Sequence, residues 1–106
     1  MSAKYFSFKK TEIDQTFKNS RLKARIPGLK LLQSPSELDY GKILIVIPSK
    51  TGKAVERNKF KRRVRAIFYE ENLFKVPANY VLLVYKDAME FSFEKIKDFL
   101  VKNIGK

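Results

Sequence analysis

Bond-breaking chemistry near neutral pH asks for a titratable pair, an activated nucleophile or a metal cage, and this sequence offers few residues for any of them. With no His and no Cys, the ordinary zinc ligand sets, a thiolate nucleophile and a disulfide framework are all missing. The 11 acidic residues are scattered along the chain rather than spaced as an acid/base pair. Glu12 and Asp14 stand two apart on an expected helix and do not face each other, and Glu70-Glu71 mark the acidic end of another helix. Ser49 and Thr51 have no base beside them, and Thr51-Gly52-Lys53 lacks the spaced Gly and the Lys-Ser/Thr ending of a phosphate-binding loop. No catalytic residue and no metal ligand is expected from this chain. An autonomous metal nuclease would need carboxylates that the fold gathers in space.

What the sequence does concentrate is positive charge. From Ser49 to Tyr69 it reads SKTGKAVERNKFKRRVRAIFY, with six cations (Arg57, Lys59, Lys61, Arg62, Arg63, Arg65) in nine positions. Apolar residues run through them at helical spacing. Placed on a helix beginning near Ala54, Phe60, Val64, Ile67 and Phe68 share one core-facing arc. Asn58, Arg62, Arg65 and Tyr69 share a second stripe, bordered by Lys61, while Lys59 and Arg63 occupy the far flank. A helix merely kept soluble would interleave Glu with Lys, yet Tyr40 to Tyr69 holds nine Lys or Arg and one acid, Glu56. The solvated-face reading is therefore weaker than an external polyanion. Arg, Asn and nearby aromatics suit phosphate contact and base stacking, which points to nucleic acid.

The rest of the composition bounds the answer. A chain of 106 residues with 44% hydrophobic content is one folded domain. Its net charge of +12 favours polyanionic partners and leaves no reason for a small-molecule substrate. The N-terminus, MSAKYFSFKK, has no apolar run of signal-peptide type. Ile43 to Ile47 and Tyr80 to Tyr85, the longest apolar segments, are too short to span a bilayer. The cytoplasm, with no membrane partner, is the expected setting.

The elements that must position the basic stretch follow from the pattern around it. Residues 1–10 are expected as an extended arm. Thr11 offers an N-cap, with Asp14 three residues on, for a first helix from about Glu12 to Asn19 that places Ile13 and Phe17 on one face. Those two residues admit two readings, packing on the sheet or exposure in a cleft. Ser20 to Arg25 and the LKLLQ that follows Pro27-Gly28 read as two short strands. Gly41 to Pro48, GKILIVIP, reads as a strand buried on both faces, and Asn79 to Tyr85 as another. Ser92 caps a last helix whose Phe93, Ile96, Phe99, Leu100 and Ile104 form an apolar face. The order is αβββαβα.

The string Gly52 to Arg65, GKAVERNKFKRRVR, resembles the signature of the bacterial ribonuclease P protein component, and the likeness extends over nearly the whole chain. The resemblance implies an α+β domain covering residues 1–106, with a four-stranded mixed sheet packed with three helices. It further implies a left-handed βαβ crossover (ribosomal protein S5 domain 2-like), against the usual handedness. It implies the protein subunit of the ribonucleoprotein endonuclease that removes the 5′ leader from precursor tRNA. In that family the RNA subunit carries catalysis with Mg²⁺, which it mainly binds. The protein's partners are ribonuclease P RNA and precursor tRNA. A structured-RNA-binding module of ribosomal type, with no role in tRNA processing, is the alternative.

Carried over position by position, the resemblance makes Arg57, Asn58, Lys59, Lys61, Arg62 and Arg65, with Lys50 and Lys53 ahead of the helix, the RNA-binding set. Lys59 stands where the family usually has Arg and lacks its bidentate fork. Phe17 matches an aromatic of the leader cleft, Ile13 replaces another, and Tyr85 occupies a strand position where Arg is common. Pro48-Ser49-Lys50 stands where Ser-Lys-Lys is usual, so Lys50 is the matched cation.

Overall fold

The computed structural model describes residues 3–104. Its helices are α1 (Lys10–Asn19), α2 (Ala54–Glu70) and α3 (Phe93–Asn103), and its strands are β1 (Arg21–Ile26), β2 (Leu29–Pro35), β3 (Lys42–Val46) and β4 (Ala78–Val84). This is the expected αβββαβα order and an α+β domain. The sheet order is β1-β2-β4-β3. β2 pairs antiparallel with β1 and β4, while β3 and β4 are parallel, so α2 is the crossover of a βαβ unit in a mixed sheet.

β4 organises the two faces, because alternate residues of a strand point to opposite sides. Tyr80, Leu82 and Val84 join Leu29 and Leu31 of β2 and Ile43 of β3 in the main core. Onto that face α2 lays Phe60, Val64, Ile67 and Phe68, and α3 lays Ile96, Phe99 and Leu100, all buried as the helical periodicity predicts. Asn79, Val81 and Leu83 point the other way, in register with Ser34, Leu32 and Lys30 of β2 and with Lys42, Leu44 and Val46 of β3. α1 crosses this second face and leaves part of it open.

Two contacts seat α1. Thr16 is buried and its Oγ1 accepts a 3.5 Å hydrogen bond from Asn79 Nδ2. Lys42, only 4% exposed, donates from Nζ to Glu12 Oε2 at 2.8 Å, and its ammonium also lies 4.4 Å from the Phe8 ring centroid. A buried ammonium needs such a partner, since its desolvation is otherwise uncompensated.

Several local expectations change. The α1 N-cap is Lys9, not Thr11: its N–H donates to Glu12 Oε1 at 3.1 Å, and because Lys42 holds the other oxygen of that carboxylate, the helix starts two residues early. The extended arm is instead a 3-10 turn at Ala3–Tyr5, because Tyr5 is drawn into an aromatic core; Met1 and Ser2 lie outside the described residues. GKILIVIP is not buried on both faces. β3 is an edge strand whose Ile43 is buried, while Leu44 and Val46 on the α1 side are half-buried. The inner strand is β4. Ser92 does cap α3, accepting from the Lys95 N–H at 3.1 Å.

The turn between β1 and β2 uses Gly28 at φ +100°, which L side chains rarely adopt, and an added Cβ would lie 2.9 Å from the Ala88 nitrogen. The Gly28 carbonyl accepts from the Tyr85 N–H at 2.9 Å, tying that turn to the end of β4. β1, the other edge, carries a bulge between Leu22 and Ala24.

The Glu12–Lys42 pair sets a pH test of how α1 is held. The Lys42 hydrogen bond, then the Lys9 N–H, lower the Glu12 pKa from 4.5. A depressed carboxylate contributes stability above its unfolded pKa and loses it as pH falls through the folded value. Glu12→Gln should therefore lower the thermal midpoint at pH 7, and the gap from the parent should close as pH falls below about 4. Thermal unfolding across pH measures it; a constant gap would show that Glu12 acts through packing alone.

Candidate nucleic-acid interface

Once the apolar arc of α2 is buried, the remaining circumference is fixed in direction. Asn58, Lys59, Arg62, Arg65 and Tyr69 are exposed, Lys61 and Arg57 are half-buried, and Lys50 and Lys53 are exposed just ahead of the helix. The RNA-binding set of the sequence reading thus lies on α2 and the segment leading into it. Glu56, the one acid from Tyr40 to Tyr69, is exposed, and its Oε1 accepts the Lys53 N–H at 2.9 Å and closes the helix start.

The cations divide by what they touch. Arg57 Nε donates to the Gly52 carbonyl at 3.1 Å, and Arg63 Nη1 to the Phe91 carbonyl at 3.3 Å, so these two brace α2 against its neighbours. The Arg65 guanidinium lies 5.7 Å from the Phe6 ring centroid. Among the described residues, the ion pairs at Glu12–Lys42 and Glu71–Lys97 engage none of the α2 cations. Unpaired like charges along one helix repel, and an external anion is what relieves that repulsion.

The other residues singled out by sequence lie on the second face. Phe17 is 41% exposed and Ile13 half-buried, so Phe17 is not core. Tyr85 is 43% exposed just past β4, continuing the Asn79–Val81–Leu83 side, with Lys30 Nζ 5.7 Å from its ring centroid. The elements carrying the basic stripe and the cleft residues cover opposite faces of the sheet.

At 100° per residue Ile13 and Phe17 flank the seated Thr16 on one side of α1, while Gln15 and Asn19 flank it on the other. A cleft of about 510 Å³ opens on the Gln15 side, lined by Gln15, Thr16, Asn19, Ser34, Lys42 and Asn79, and none of Ile13, Phe17 and Tyr85 lines it. Sequence reasoning missed Lys42, Lys30 and this polar groove. Strand alternation through GKILIVIP could have put Lys42 beside Leu44, but only the register shows what it meets.

Among the described residues, no three or more of Asp and Glu converge as a metal site, and no helix is long and apolar enough to cross a membrane. Glu12 and Glu56 each accept a hydrogen bond from the protein itself.

Comparison with known proteins gives the family. A family model described as Ribonuclease P matches residues 1–106. The Ribonuclease P protein component of Phytoplasma australiense is 31% identical over 109 residues, covering 100% of this chain and 93% of its own. That of Bacillus pumilus is 32% identical over 94 residues, covering 87% and 78%. The structure of the Staphylococcus aureus RNase P protein superposes with a TM-score of 0.80 at 20% identity, covering 93% of this chain and 91% of that one. At that identity the superposition speaks for the fold.

The division of the cations predicts separable effects. Arg63→Ala should cost about 1 kcal/mol of unfolding free energy, for a half-buried carbonyl loses its partner. Arg62→Ala, at an exposed position, should stay within about 0.5 kcal/mol of the parent. Urea unfolding of both variants decides it, and equal losses would show that the two arginines play one role.

Proposed function

Because the chain belongs to the ribonuclease P protein family, it is the protein subunit of the endoribonuclease that processes precursor tRNA, and we propose how its surfaces divide that work. α2 binds the RNA subunit through Asn58, Lys59, Lys61, Arg62 and Arg65, with Lys50, Lys53 and Arg57 at its entry. The open sheet face beside Ile13, Phe17 and Tyr85 receives the single-stranded leader. The observation that carries this reading is the run of exposed α2 cations that enter no ion pair among the described residues, while Glu56 closes the helix start.

Catalysis belongs to the RNA subunit, which mainly binds the Mg²⁺ that activates the attacking water. The chain's own residues do not suit that role, having neither His nor Cys and no converging carboxylates among the described residues. What they can do is neutralise phosphates. Bringing a leader strand against a folded RNA gathers negative charge, and a cationic subunit lowers that cost and with it the Mg²⁺ needed. Phe17 offers a ring to one leader base, whereas Ile13 offers apolar contact alone, so stacking rests on fewer rings here. Tyr85 with Lys30 gives a second ring beside a charge. The setting is the cytoplasm, and neither a membrane nor a small-molecule substrate takes part.

Stimulation of leader removal tests the assignment. Added to a bacterial ribonuclease P RNA, the chain should raise processing of precursor tRNA at low Mg²⁺, and a folded chain giving none across matched RNAs would sink it. Phe17→Ala should weaken binding of precursor by about tenfold and leave mature tRNA unaffected. Equal loss for both would place Phe17 outside the leader path.

A further inference from the structure

The aromatic rings at the C-terminal end of α2 form a cluster. The Tyr5 ring, 8% exposed, lies 4.4 Å from that of Phe74 at an interplanar angle of 22°. Tyr69 packs beside both, 5.8 Å from Phe74 at 22° and 6.5 Å from Tyr5 at 41°. Tyr40 meets Tyr5 edge-on at 5.6 Å, and the fully buried Phe68 lies 6.4 Å from Tyr5, so the cluster is footed in the core. Its open member, Tyr69, is 41% exposed, and its hydroxyl has no hydrogen-bond partner among the described residues.

Position gives the open ring its meaning. Tyr69 follows Arg65 by four residues and shares the stripe of Arg62 and Asn58. Arg65 is itself steadied over Phe6, and Lys4 Nζ lies 4.6 Å from the Tyr40 ring, so cations flank the cluster. A tyrosine needed only for closure would bury its ring or bond its hydroxyl. This one is held against Phe74 and Tyr5 and left open, with its rotamer freedom already restricted, which is the preorganised state that binding favours.

We infer that Tyr69, the exposed ring of this cluster, is a stacking platform for an unpaired nucleobase of the RNA that α2 binds, with Arg65 on an adjoining phosphate. The inference rests on the RNA-facing reading of α2 and adds a non-ionic contact to it. Stacking uses the face common to all bases, so the platform fixes where the RNA strand turns without selecting its sequence.

The chain has no Trp, so Tyr69→Trp introduces a single indole as reporter. Titration with a bacterial ribonuclease P RNA should quench its emission. Tyr69→Ala should weaken RNA binding by about 5- to 150-fold while keeping the salt slope, and Tyr69→Phe should bind as the parent does. Thermal unfolding checks each variant, and should Tyr69→Ala fail to fold, the indole signal and Tyr69→Phe decide. Unchanged emission at saturating RNA, or parental affinity in a folded Tyr69→Ala, would overturn the platform. Arg62→Ala separates the two levels, because losing one phosphate contact should reduce the salt slope by about 1. A reduced slope with a silent indole removes the platform alone, and an unchanged slope removes the RNA-facing reading of α2 with it.

Discussion

The burial of Phe60, Val64, Ile67 and Phe68 against the sheet is the interaction on which the rest depends. Each of these side chains contributes roughly 1.5–3 kcal/mol by leaving water, several times what an exposed ion pair supplies. Helical periodicity does the rest. With one arc pinned inward, the residues between must point outward, and in this chain they are cations. The core therefore sets the direction of the charged face, and the cations proposed to bind RNA take their orientation from it.

A second constraint works from the opposite side of the sheet. β4 is inner, so both its faces must be covered, yet α1 covers only one end of the second face. The buried Lys42 and the half-buried Glu12 seat the helix at that end through charge rather than bulk. Such a pair is a weak source of net stability but a strict one of position, because Lys42 without its partner is costly to bury. α1 can thus stand over a sheet face that stays partly open.

How far the chain could be read in advance follows from which interactions are local. The arc and stripe of α2 were legible because both follow from spacing within one helix, and Ser92 was legible because a cap acts over one turn. Residues whose place depends on strand order were not. GKILIVIP has the apolar continuity of an inner strand, but it lies at the edge, shielded in part by other elements. The N-cap was misplaced because a Lys backbone N–H, answered by Glu12, took the role that Thr11 suggested. Phe17 was ambiguous between core and cleft, since one helix cannot say what faces it, and Tyr5 gave no sign that it would meet Phe74. The groove beside Gln15 needed the β2–β4 register to exist at all.

The bulge between Leu22 and Ala24 bears on the chain before it meets its RNA. β1 is a free edge of the sheet, and a flat free edge is a template on which another copy can add a strand. The bulge breaks the hydrogen-bond repeat there, and Arg21, Lys23 and Arg25 bring like charge to any copy that approaches. A second molecule meets mismatch and repulsion together. The same excess of cations that suits the chain to a polyanion thereby disfavours strand addition by an identical chain at this edge.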